Sequence, residues 1–285
     1  MAGLDVLNPV VYAPNLLIPL RKSLVFGGLA NRDYEGEIRN YGDSVKIREI
    51  GTITVNDYTK FSNTGSTSTA ITWQALSAAE KLLYIDNAKY FAFAIDDVDN
   101  TQNFPKAMAE GMADAGYQIA NEIDQDVAEK IADGSGKIIT AATVSAGSVL
   151  GLISYFARYL DEANVPQNDR YCVIPPFVHQ DLIEVISGAI GATGVPKTFD
   201  NGVLATGFVG NLYGLNIFMS NNCHASSGTI VTAFHRSAVT FAGQLSQVKR
   251  TEREDYFDSG IKGLYLYGIK VVRPSAIVSC DVTEG

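Results

Sequence analysis

Apolar and polar positions alternate from residue 45 onward. Val45 and Ile47 are interleaved with Lys46 and Arg48, and Ile53 and Val55 with Thr52, Thr54 and Asn56. A period of two predicts strand. Asn63–Thr69 is rich in Ser, Thr and Gly, and Ala70–Trp73 reads as a returning strand. The span Arg39–Trp73 is therefore expected to be a long two-stranded ribbon with a polar tip. Such a ribbon is marginal by itself and needs a partner surface; an ordinary surface hairpin is the plainer alternative. An apolar, aromatic strand follows at Leu82–Ile95 and runs into the acidic turn Asp96-Asp97-Val98-Asp99-Asn100. The period then lengthens. Met108, Met112, Ala115, Ile119, Ile123, Val127 and Ile131 recur at spacings of three and four, one stripe of a helix over Phe104–Asp133. Pro105 suits its first turn and Gly134 its C-cap. At ~1.5 Å per residue it spans roughly 40 Å. Gly111 and Gly116 would let it bend or let another backbone approach.

The texture changes after residue 144. A helix is expected over Ser148–Asn164, a short buried strand over Arg170–Ile174 and a second helix over Phe177–Ser187. Gly188–Pro196 reads as a loop. Strands follow at Gly207–Asn211 and Leu215–Met219, around Tyr213-Gly214. Together these make a compact α/β domain. Strands return at Ile230–Phe234, Val239–Phe241, Leu264–Val272 and Ile277–Cys280, with a charged, turn-rich segment Gln247–Gly260 among them. The chain thus leaves a first domain, builds a second and comes back. Residues 1–31 hold three prolines and no clear period. They read as an extended arm lying on its own body or on a neighbour, because Leu16, Leu17, Ile18, Leu20, Leu24, Val25 and Phe26 are too apolar for water; a frayed terminus is the alternative.

With 285 residues, 46% hydrophobic and 19% charged, the chain can bury a sizeable core and is not of the disordered class. The formal charge is −9. That argues against a sequence-specific nucleic-acid binder, which shows a basic face; solubility is the plain reading of the surplus. The long helix alone contributes −5: Glu110, Asp114, Glu122, Asp124, Asp126, Glu129 and Asp133 against Lys106 and Lys130. Its polar face is expected to look into solvent, not onto a basic surface. No signal peptide and no run of eighteen apolar residues is visible, so no membrane partner is expected. Cys172, Cys223 and Cys280 are odd in number and widely spaced, as reduced structural thiols are.

Enzyme chemistry finds little support. Phosphate-binding glycine loops, H-E-x-x-H and paired C-x-x-C are all missing. An α/β hydrolase or metal enzyme would have to be built on His179 or Cys223. His179 lies near Asp181 and Glu184, but an i, i+2 spacing does not share a helical face. Cys223-His224 are adjacent, point apart and sit in a turn. His235-Arg236-Ser237 reads as the cap of a strand. The acidic turn could bind Ca²⁺ or Mg²⁺ through oxygens, but it lacks the glycine and distal glutamate of an EF-hand. Helix capping and inter-subunit salt bridging explain it better. No cofactor is expected. Lys249, Arg250 and Arg253 lie among Glu252, Glu254 and Asp255, a mixed-sign run that suits a solvated face or a subunit contact.

The order of these segments resembles one family. Tyr84-Ile85-Asp86, Lys89 through Phe93, Asp96-Asp97-Val98-Asp99 and Gln102 resemble the motif before the long "spine" helix of tailed-bacteriophage major capsid proteins. Leu160–Pro166 with Arg170–Pro176, Gly207–Gly214 with Ser220-Asn221-Asn222, and Tyr267–Pro274 resemble later parts of the same proteins. The resemblance covers about Gly42 to Ser279. It implies an α+β chain of the Hong Kong 97-type capsid fold: an N-terminal arm at 1–38, an extended E-loop hairpin at 39–80, a peripheral domain with the spine helix at 81–144, an α/β axial domain at 145–228, and return strands at 229–285 completing the peripheral and part of the axial domain. It implies a structural protein, not an enzyme, that assembles in the host cytoplasm as hexamers and pentamers into an icosahedral virion shell around double-stranded DNA. Partners implied are other copies of itself, a portal, and separate scaffolding or decoration proteins, with DNA enclosed but not read. An encapsulin-like nanocompartment is the alternative on the same fold. A fused scaffold is not expected, and neither Lys60 nor the asparagines require a covalent cross-link. Residues expected at subunit interfaces are Tyr58, Lys60, Phe61, Trp73, Asp96, Asp97, Asp99, Arg250 and Arg253.

Overall fold

In the computed structural model of the protein, the described residues are 22, 24–33, 44–50, 53–58, 71–76, 78–96, 107–145, 147–186, 208–224, 228–252 and 258–284. Three sheets and one long helix organise them. A ribbon pairs β1 (Ser44–Ile50) antiparallel with β2 (Ala78–Tyr84), Ser44 opposite Tyr84. A three-stranded antiparallel sheet has the order β3 (Asn87–Asp96), β10 (Asp258–Val271), β9 (Val239–Glu252). The third sheet has six strands in the order β4 (Lys137–Val144), β11 (Ile277–Glu284), β8 (Thr229–His235), β5 (Arg170–Ile174), β7 (Leu215–Met219), β6 (Phe208–Leu212). Within it β4–β11 and β5–β7 run parallel and the other pairs antiparallel.

The helices are α1 (Phe26–Leu29), α2 (Ala107–Asp133), α3 (Val149–Glu162) and α4 (Pro176–Ile186). The 27-residue α2 is about 40 Å long. Alternation along the six-stranded sheet explains how it is covered. Cys172 and Ile174 of β5 face a core built with Ile153, Phe156 and Leu160 of α3 and Val178 and Leu182 of α4. Val173, one residue out of phase, faces a second core with Phe26 of α1, Ile123, Val127 and Ile131 of α2, and Phe234, Phe241 and Tyr267. A third, smaller core seats the root of the ribbon: Val45, Ile47, Leu83 and Ile85 against Ala242, Leu266 and Val272. Among the described residues, no helix is long and apolar enough to cross a membrane.

Several expectations need correction. Gln247–Gly260 is not a turn-rich connection. β9 runs to Glu252 and β10 starts at Asp258, so most of the segment is hairpin. Its adjacent charges, Lys249-Arg250 and Glu252, conceal the strand. Ala70–Trp73 is not the returning strand: residues 71–76 carry no regular structure, and β2 takes that role. The single strand at Leu82–Ile95 is two, broken at Ile85-Asp86, where the chain passes from the ribbon into the three-stranded sheet. Gly134 does follow α2 directly and its amide donates to the Lys130 carbonyl, the C-cap place expected of it, but without a left-handed φ. It lies against the Val271 side chain, where a Cβ would collide. β4 went unrecognised. It forms an edge of the six-stranded sheet, and of the returning strands only β9 and β10 join β3. The loop 188–196 and the first turn of the helix expected from Phe104 lie outside the described residues.

Candidate subunit interface

The ribbon is fastened at its root and bare beyond it. At the root, Lys81 Nζ donates to the carbonyl of Val272 (2.6 Å), and Lys46 pairs with Glu80 at 3.5 Å. Past β1 and β2 the two legs, 53–58 and 71–76, are exposed throughout. They carry Ile53, Val55, Tyr58, Ile71, Trp73 and Leu76, between 64% and 93% exposed, with Val55 and Trp73 at the upper limit. The Thr54 amide donates to Gln74 Oε1 at 3.0 Å, tying leg to leg. Six large apolar side chains on one projection, none of them in a core, are more than scattered surface hydrophobics.

Tyr58 and Trp73 therefore sit on the same projection. Lys60, Phe61, Asp97, Asp99 and Arg253 lie outside the described residues. Asp96 ends β3 opposite Asp258, and Arg250 lies in β9 opposite Ile261, so both positions fall at one end of the three-stranded sheet, apart from the ribbon root.

The acidic helix departs from its expected solvent role in two places. Lys89 of β3 reaches Glu122 (3.4 Å) and Asp126 (3.3 Å). Partial burial pulls the Lys89 pKa down, but the two carboxylates outweigh that and hold it above its ordinary value. Asp126 also accepts a short hydrogen bond from the Tyr267 hydroxyl, whose pKa burial and the carboxylate push well up. Asp124 is buried, 2% exposed. Its carboxylate accepts from the Gly27 amide (2.9 Å) and from Asn222 Nδ2 (2.9 Å), while Asn222 Nδ2 also donates to Asn121 Oδ1 (3.1 Å). Burial raises the Asp124 pKa against the lowering effect of these bonds. Asp124 thus joins three parts of the chain: α1, α2 and the turn at 221–222. Its place in an acidic run gave no hint of this, since periodicity does not report a tertiary partner about 100 residues away.

Arg170 was also missed. It is buried, donating to the carbonyls of Val165 (2.5 Å) and Pro166 (2.8 Å) and pairing with Asp161 at 2.8 Å. It locks the end of α3 to the start of β5 across two residues with positive φ, Asn164 and Asp169.

The candidate enzyme residues are not assembled for chemistry. The half-buried Cys223 thiol donates to the Ser220 carbonyl (3.4 Å), and burial together with Asp124 pushes its pKa up to about 12. That is the reverse of what a nucleophilic thiol needs. His179 is partly buried on α4, with its pKa lowered by that burial. His235 ends β8, and its Nδ1 accepts from the Ser237 amide (3.1 Å), capping the turn that follows the strand. Among the described residues, no group of three or more His, Cys, Asp and Glu is placed to hold a metal ion.

Comparison with known proteins turns this architecture into an identity. A family model described as phage capsid protein matches residues 85–280. No curated protein sequence matches. A solved structure from Mycobacterium phage Che8 is similar, with 28% identity and a TM-score of 0.78 over 98% of both chains. The capsid structure of cyanophage P-SCSP1u aligns at 20% identity and TM-score 0.73, covering 100% of this chain and 96% of that one. The mature capsid of bacteriophage PhiM1 aligns at 16% identity and 0.67, covering 99% and 95%. The chain belongs to the phage capsid protein family, as a tailed-phage major capsid protein of Hong Kong 97-type fold.

Proposed function

We propose that this subunit tiles as hexamers and pentamers into a closed icosahedral shell that encloses double-stranded DNA, built in the host cytoplasm and carried in the virion. In this reading residues 1–38 are the arm, 39–80 the E-loop, 81–144 the core of the peripheral unit, 145–228 the axial unit and 229–285 the strands that tie them together. The work of the protein is mechanical, and its site is its contact surface. Its partners are further copies of itself, a portal, and separate scaffolding or decoration proteins.

The observation that carries this is the bare apolar ribbon. Val55 and Trp73, each 93% exposed, have no place in any core of the subunit. Burying a side chain of that size contributes on the order of 2–3 kcal/mol, and tryptophan is enriched among residues that dominate interfaces. A neighbouring copy supplies the missing surface in a closed, symmetric assembly. Arg250 and Arg253, Lys60, Phe61 and the acids Asp96, Asp97 and Asp99 belong to the same contacts in this proposal.

The enclosed duplex is contained, not gripped. Glu122, Glu129 and Asp133 on α2 are exposed, and the chain carries −9. Specific DNA binders neutralise phosphates with Lys and Arg and lose affinity steeply with salt. An acidic wall instead repels the duplex, and only within about 10 Å at 0.1 M salt.

The test is assembly of Trp73→Ala with Val55→Ser. Subunits that fold, by unchanged circular dichroism, but yield few closed shells fit the proposal. Closed shells at ordinary yield would show that the ribbon is not an assembly contact.

A further inference from the structure

The ribbon has two unlike faces. In β1 and β2, Ser44 stands opposite Tyr84 and Ile50 opposite Ala78. The Thr54 amide, donating to Gln74 Oε1 (3.0 Å), carries the same register outward into the legs. Val55 then stands opposite Trp73, with Ile53 and Ile71 on the same side, because residues two apart share a face. All four are exposed. This is the side that Val45, Ile47 and Leu83 bury at the root. Thr54, Asn56, Thr72 and Gln74 take the other side, between Tyr58 and Leu76 at its ends.

An apolar cleft of about 420 Å³ lies on the body of the subunit, between α1, α2 and the three-stranded sheet. That is within the ~300–1,000 Å³ typical of clefts that hold a ligand. Leu24 and Gly28 line it from the arm, Met112 and Gly116 from α2, and Phe241 and Tyr265 from the sheet. A Cβ on Gly28 or Gly116 would meet no atom within 4 Å. Glycine inside a helix is unfavourable, and at these two positions no close packing of the described residues requires it. Arg32 also lines the cleft, its guanidinium 5.2 Å from the centre of the Phe241 ring. A cation so placed attracts a further aromatic ring, tryptophan most of all.

The subunit's own ribbon does not fill this cleft. Ala242 and Leu266 face the ribbon root, whereas Phe241 and Tyr265, one residue out of phase, line the cleft. Root and cleft therefore lie on opposite faces of the three-stranded sheet, and Val55 and Trp73 are left in solvent by their own copy.

We propose that the apolar face of one copy's ribbon is seated in the cleft of the next copy, with Trp73 between Gly28 and Gly116 and beside Arg32. This rests on the reading of the ribbon as an assembly contact and names its receptor. Knob and cleft are different parts of one surface, so the contact is head-to-tail, and head-to-tail contacts that close make rings. The polar face of the ribbon stays in water. Because α1 forms one wall, the receptor is complete only while the arm is held on α2 by the bond from the Gly27 amide to Asp124.

Trp73 is the only tryptophan in the chain, so its fluorescence reports the seat directly. In the full chain its emission should move to shorter wavelength on assembly and lose most of its access to a neutral quencher. Gly116→Leu and Gly28→Leu fill the cleft from two walls and should leave the circular dichroism of the subunit unchanged; methionine replaces leucine at either position where leucine disturbs the fold. Each variant should raise the subunit concentration needed for assembly at least about tenfold, as loss of one dominant interface side chain does. A ribbon that merely lies along α2 would feel the change at Gly116 and not the one at Gly28, and that result would overturn the proposal. Shells of both variants forming at the parent's concentration would also overturn it: where Trp73 of the parent is still shielded on assembly, the ribbon is a contact and the cleft is not its seat. Trp73 open to the quencher in shells of the parent would overturn the ribbon contact itself, and this proposal with it.

Discussion

Asp124→Ala is the sharpest perturbation of the subunit itself. The substitution removes a carboxylate that is 2% exposed and accepts from the Gly27 amide and Asn222 Nδ2, both at 2.9 Å. The amides of Val25 and Phe26 also stabilise its charge. A hydrogen bond to a charged group contributes about 1.5–3 kcal/mol, and its loss leaves a donor stranded. Two such bonds give roughly 3–6 kcal/mol in gross terms. The raised pKa shows that burial already offsets part of that gain. A net loss of about 3 kcal/mol is therefore expected, a large share of a stability that is typically 5–15 kcal/mol. Asp124→Asn should cost less, because it keeps an acceptor for Gly27. It still sets an amide against the Asn222 amide, which already serves Asn121. The pH dependence has an unusual sign for an aspartate. Because the folded pKa lies above the ordinary value of 3.8, the burial cost is fully present above the folded pKa and is relieved as pH falls towards 3.8. Asp124 thus favours the folded state more at mildly acid pH, and the Ala variant loses that contribution. Urea unfolding of unassembled subunits reads the loss, and hydrogen exchange at 25–29 and 221–224 locates it. A loss below about 1 kcal/mol, or exchange that rises at only one of the two segments, would refute the three-way junction.

Three further outcomes follow from the same structure. Arg170→Ala should destabilise the subunit by about 2–3 kcal/mol, since it removes the buried guanidinium that donates to the Val165 and Pro166 carbonyls, while the exposed Asp161 is left to water; Arg170→Lys should recover little, because an ammonium cannot span that fork, and urea unfolding checks both. Lowering the pH through 6.5 should cost stability at His235, whose pKa is held down by burial and whose Nδ1 must stay unprotonated to accept from the Ser237 amide. That contribution is present above 6.5 and lost as the ring is forced to charge, so His235→Gln should flatten the thermal-melting profile between pH 7 and 5. A titration of unassembled subunits with duplex DNA at low salt should show no tight binding, and salt-sensitive nanomolar binding would contradict the acidic-wall reading.

The long helix, the helices α3 and α4 and the core strands of the six-stranded sheet were legible because burial leaves a mark on each: a helix that buries one face shows a period, and a strand buried on both faces shows a short apolar run. Ile119, Ile123, Val127 and Ile131 show it for α2, and Cys172, Val173 and Ile174 for β5. β4 was not legible. It is a short edge strand, Lys137–Val144, with Ile138 exposed, so its polarity does not alternate cleanly. The β9–β10 hairpin was obscured because its far end is densely charged, with Lys249, Arg250 and Glu252 on one strand and Asp258 on the other, and shows no clean alternation. The exposed ribbon was legible as a projection, but not in detail: Trp73 reads as strand by composition, yet it sits in an irregular leg beyond β2. Asp124 and Arg170 were invisible in advance for a different reason. A charged residue in a charged stretch reads as surface, and only folding brings Gly27, Asn222 and Val165 to them.

Assembly is the claim on which the account stands, and electron cryomicroscopy of the purified, assembled protein tests it most directly. Closed icosahedral shells of hexamers and pentamers are predicted, with Val55 and Trp73 of each ribbon buried against a neighbouring subunit. Compact monomers of about 30 kDa at micromolar concentration, or shells in which those two side chains remain in solvent, would contradict it.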